Sequence, residues 1–127
     1  MSADQARYPT SRSWLRIGLA LLAATSLSAG IWALSLPHAF FNDFPLPGTS
    51  WVSALGPYNE HLVRDYAVLN LALGVLLVFA AVSVEGGLVR ASLVAWLVYA
   101  TPHFVFHLTQ VHAFAPVDNV ALAAHLL

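Results

Sequence analysis

Residues 14–36, WLRIGLALLAATSLSAGIWALSL, decide the fold: across 23 positions the only charge is Arg16. As a helix rising 1.5 Å per residue, this stretch reaches about 34 Å, enough to cross a hydrocarbon core of ~30 Å. Trp14 and Trp32 fall near its two ends, where indole rings favour the membrane interface, and Pro37 stops it. A cleavable signal peptide would share the basic start, the apolar run 17–24 and the small residues Ser26 and Ser28. The apolar run continues through Ile31, Trp32 and Leu34, longer than a typical signal core, so the segment reads as a retained anchor.

Two more apolar segments follow the same pattern. The spacing predicts spans at about 14–36, 59–84 and 88–109, joined by a tight Glu85-Gly86-Gly87 turn and an outer loop at 37–58. Pro37, Pro45, Pro47, Gly48, Gly56 and Pro57 argue against a continuous helix in that loop. Its Phe40, Phe41, Phe44, Trp51 and Tyr58 suit a cover packed at the membrane surface. Residues 1–13 form a polar tail, and residues 14–127 a single transmembrane domain. Residues 118–127 read as a partial helix, spanning only about half the core, so the sequence is expected to lack the rest of a fourth span.

The composition agrees. The chain of 127 residues is 59% hydrophobic and 9% charged, with a mean hydropathy of +0.73. Soluble domains carry about 25% charged residues, and disorder needs the opposite bias. The expected class is therefore an all-α transmembrane helical bundle, with three full spans and a short or truncated fourth helix. A net charge of -1 offers no basic field for nucleic acid. The absence of Cys excludes disulfides, thiolate metal sites, iron–sulfur clusters and c-type haem.

Arg7, Arg12, Arg16 and Arg90 lie at the amino terminus or beside the second turn, while loop 37–58 has no Lys or Arg. The expected topology is a multi-pass protein of the cell membrane with a cytoplasmic amino terminus. Arg64 dissents, but an i, i+4 pair with Glu60 is available to it. All six histidines then fall on the outer side.

Within that cluster Tyr99, His103 and His107, spaced by four, share one helix face, with Pro102 interrupting the backbone bonding just below His103. His61 and Asp65 have the same spacing on the preceding helix. Ionisable groups at membrane depth are costly and tend to face the bundle interior. His61, Asp65, His103, His107 and His125 are therefore candidate ligands for Zn, Cu or non-haem Fe. His61, His103 and His107 are candidates for holding a cofactor, including a b-type haem gripped axially from two helices. Glu60, Arg64, Asp65 and Tyr99 are the candidate catalytic groups. Against this stands a polar clamp joining the two helices, and interhelical bonding for Asn70 and Ser83. Ala20, Ala23, Ala24, Ser26, Gly30 and Gly74 read as close-packing positions.

Phe44-Pro45, Tyr58-Asn59-Glu60-His61-Leu62 with Asp65, and Asn70-Leu71-x-Leu73-Gly74 resemble small bacterial integral membrane proteins with the layout of the DoxX-type four-helix family. Abundant Ala, Val and Leu without Lys also fit the codon bias of a GC-rich bacterial genome. The resemblance implies a respiratory-chain or redox partner and transfers no catalytic residue.

Three functions fit these residues. One is an outward-facing pocket binding a metal or haem for redox chemistry on a lipid-soluble substrate such as a quinone. Another is a metal-free acid–base enzyme of the isomerase type acting on a membrane lipid, with Glu60 or Asp65 and a histidine exchanging protons. The third is a non-enzymatic accessory subunit, with a membrane-protein partner or a second copy of the chain. No motif decides among them.

Overall fold

The computed structural model describes the backbone of residues 9–126 and the side chains of residues 11–124. Five α-helices follow in order: α1 (Pro9–Ser35), α2 (Pro37–Asp43), α3 (Glu60–Ser83), α4 (Gly86–Thr109) and α5 (Pro116–Leu126). Among the described residues there is no strand. The all-α bundle expected from the sequence is the observed architecture. α1, α3 and α4 are each long and apolar enough to cross a membrane.

Two boundaries differ from expectation. α1 begins at Pro9 rather than Trp14, because Pro is pre-organised for a first helical turn and Ser11, Arg12 and Ser13 do not oppose its continuation. The loop expected at 37–58 opens with the seven-residue helix α2. The first span ends at Ser35, just before Pro37 as expected; Leu36 leaves helical geometry at φ -136° and ψ 65°, and Pro37 starts α2. Pro102 lies inside α4 and does not end it.

The ends of the long helices are held by specific groups. The Asn59 side chain accepts from the Leu62 N–H at 3.2 Å, capping α3. Arg16 Nε donates to the Ala81 carbonyl at 3.0 Å, satisfying one of the carbonyls a helix C-terminus leaves over. Ser83, expected to bond between helices, instead donates to the Phe79 carbonyl of its own helix at 2.9 Å.

Glu85 caps α4, accepting from the N–H groups of Gly87 at 2.8 Å and Leu88 at 2.7 Å. These bonds, more than Arg90 nearby, hold its carboxyl below the ordinary 4.5. A depressed folded value means the stabilisation is complete above the unfolded value and fades as pH falls through the folded one. Glu85→Gln should therefore melt below wild type at neutral pH, with the two curves converging below about pH 4. Circular dichroism melts in detergent across that range check it; a constant offset would exclude the carboxylate cap as the cause.

Two clusters make the core, and their membership positions the site. Near the α3–α4 turn, Leu19 and Ala23 of α1, Leu77, Ala80 and Ala81 of α3, and Val89 of α4 pack together. At the other end the cluster is Ala29 and Ala33 of α1, Phe40 of α2, and Val63 and Ala67 of α3, with no α4 residue. α1 and α3 stay close throughout: a Cβ built on Gly30 would stand 2.9 Å from the Ala67 carbonyl oxygen, and one on Gly74 2.6 Å from Leu27 Cγ. Of the expected close-packing positions, Ala20 and Ala24 face outward. α4 is the most open span, with 17% of its apolar window buried. It leans on α3 at the turn and leaves a wedge at the far end.

Candidate functional site

The wedge is a cavity of about 360 Å³, within the range that holds a small organic ligand. α2 and the following loop supply one wall. Phe40 and Trp51 are nearly fully buried, so the loop aromatics expected to lie on the membrane surface form an internal cluster. Phe40 and Phe44 lie 4.7 Å apart between ring centroids, and Phe40 and Tyr66 5.4 Å. The opposite wall is the Trp96, Tyr99, Ala100, His103, Phe106 and His107 face of α4. Leu122 of α5 closes one side. Trp51 Nε1 donates to Asp118 Oδ1 at 3.3 Å and ties α5 to the loop. Leu62 and Phe106 line the cavity and remain exposed, which puts its mouth between the first turn of α3 and the last turns of α4.

The polar groups of the cavity are few and ordered. Asn70, buried on α3, donates through Nδ2 to the Tyr66 carbonyl at 2.9 Å and to the Tyr99 hydroxyl at 3.3 Å. Tyr66 lines the same cavity beside Asn70 and Tyr99. The rings of Tyr99 and His103 stack at 5.6 Å with 16° between planes, and His107 meets His103 edge-on at 4.7 Å. The shared face expected for Tyr99, His103 and His107 is thus present, and Asn70 does bond across α3 and α4. Tyr66 and Trp96 were not among the expected site residues. Tyr66 carried a signal in its i, i+4 relation to Asn70, which places both on one face of α3.

The remaining candidates lie elsewhere. His61 Nε2 is 3.4 Å from Asp65 Oδ2, with side chains 82% and 57% exposed, because the two lie on the face of α3 turned away from buried Val63 and Ala67. Arg64 pairs with Glu60 at 2.8 Å and donates to the Leu34 carbonyl at 3.0 Å, tying α3 to the end of α1. Neither pair lines the cavity. The expected meeting of His61 and Asp65 with His103 and His107 is therefore not made. Among the described residues no three of His, Asp and Glu are placed to hold a metal ion. The His125 side chain lies outside the described residues, as do Arg7 and most of the polar tail. His38 packs against Tyr58 with ring centroids 4.3 Å apart and planes tilted by 39°, and His112 is exposed.

No known family model matches the chain, and no match is found among curated proteins or solved structures.

Proposed function

We propose that this chain is a multi-pass protein of the cell membrane, its amino terminus cytoplasmic, that binds a lipid-soluble ligand or substrate in the outer aromatic cavity. The observation that carries it is the wedge itself: an aromatic-walled space of about 360 Å³ with a small convergent polar set. Enclosed apolar space with a few polar groups at one wall suits a molecule with a long apolar body and a compact head. A mouth beside Leu62 and Phe106 would admit it from the bilayer. A quinone-type partner, which the DoxX-like layout would imply, belongs to this class. His103 and His107 border the same space and are the groups placed to exchange a proton with a bound head.

Trp51 and Trp96 both line the cavity and serve as internal reporters. Titrating the detergent-solubilised protein with a brominated long-chain alcohol should quench their emission saturably. In a Trp51→Phe/Trp96→Phe variant, the remaining Trp14 and Trp32 should respond only in proportion to quencher in the micelle. A purely proportional response in wild type would overturn the proposal.

A further inference from the structure

We propose that the head group held in the cavity is an uncharged, conjugated cyclic carbonyl that accepts a hydrogen bond from the Tyr66–Tyr99 phenol pair. This rests on the ligand-binding function above and specifies its chemistry.

Hydrogen-bond polarity carries the assignment. The Asn70 amide is oriented by the Tyr66 carbonyl at 2.9 Å, because a carbonyl can only accept and so must face the amide nitrogen. The same nitrogen lies 3.3 Å from the Tyr99 oxygen, which is thereby an acceptor toward Asn70. Two phenols own two O–H protons, and a bond between them could use only one. Neither proton goes to the Asn70 nitrogen, which is itself the donor toward Tyr99. Both phenols line the cavity, so the pair offers at least one donor to whatever occupies it.

Charge and shape narrow the class. Among the described residues the lining contains no Asp, Glu, Lys or Arg, so a carboxylate, phosphate or ammonium head would be desolvated without a fixed countercharge. Aromatic rings line the space on both walls, Phe40 and Phe44 on one and Trp96 and Tyr99 on the other, which favours a planar head. A quinone or a cyclic enone combines an acceptor oxygen, neutrality and flatness.

Three probes with a common ten-carbon tail test this: decyl-1,4-benzoquinone, decylbenzene and decanoate, titrated calorimetrically at fixed micelle concentration. Wild type should bind the quinone about three- to tenfold more tightly than decylbenzene, the range for one net hydrogen bond. Decanoate should bind more weakly than the quinone. Tyr66→Phe/Tyr99→Phe keeps the rings and should erase the preference for the quinone over decylbenzene. Equal affinity of wild type for quinone and decylbenzene, or tightest binding of decanoate, overturns the assignment while leaving the cavity a ligand site. Absence of binding by all three probes would remove the ligand-binding function and the assignment together. The wild-type comparison decides even if the double variant fails to fold.

Discussion

Gly30→Val is expected to destabilise the bundle by about 2–3 kcal/mol, the upper range for forcing extra carbon into a packed interface. A Cβ at Gly30 would stand 2.9 Å from the Ala67 carbonyl oxygen and 2.9 Å from Leu71 Cγ. Leu71 can change rotamer. The Ala67 carbonyl is part of the α3 backbone and moves only if the helices separate. Relief of the glycine's helix penalty, worth at most about 1 kcal/mol, offsets part of the clash for alanine and less for branched valine. Gly18 is the internal control: a Cβ there has nothing within 4 Å, so Gly18→Ala should be neutral or slightly stabilising. Unfolding of both variants in mixed micelles, followed by helical circular dichroism, measures the difference. Equal stability of Gly30→Val and wild type would mean that α1 and α3 do not approach each other there. Because Ser26 and Ala29 line the cavity from α1, the same variant should also weaken ligand binding.

What the sequence made legible divides by range. Local periodicity located the three long helices, and i, i+4 spacing found the Glu60–Arg64 pair and the shared face of Tyr99, His103 and His107. The same rule paired His61 with Asp65 correctly, yet could not say that their face of α3 turns away from the bundle. Burial is a property of neighbouring elements, and spacing along one helix carries none of it. The loop aromatics show the converse. Phe40 and Phe44 are spaced by four, but the surrounding prolines mask that spacing, and the same composition serves an interfacial cover or an internal wall. The choice is made by α2, a helix too short to stand alone, which turns Phe40 onto Ala33, Val63 and Ala67 of the neighbouring helices. Once those rings are packed there, α4 is absent from the far cluster and the wedge between them is what remains.

Ala100→Phe is expected to lower affinity for any cavity ligand by at least about tenfold, equivalent to 1.4 kcal/mol or more, without touching a polar group. Ala100 is almost wholly buried and lines the cavity next to Tyr99, so a phenyl ring built there projects into the space the ligand's apolar body needs. Each ligand methylene displaced forfeits about 0.8 kcal/mol of burial, and two such groups already exceed the tenfold threshold. Protein stability should hold or rise, because the new ring gains contacts that the open space lacked. A loss of binding with stability retained therefore separates competition for space from general disruption. Val98→Phe supplies the comparison: its site is 70% exposed on the outer face of α4, so an equal gain in bulk there should leave saturable quenching of Trp51 and Trp96 unchanged. If Ala100→Phe preserved that quenching at wild-type affinity, the ligand would have to bind outside the wedge. If Val98→Phe abolished it instead, the binding surface would be the open face of α4.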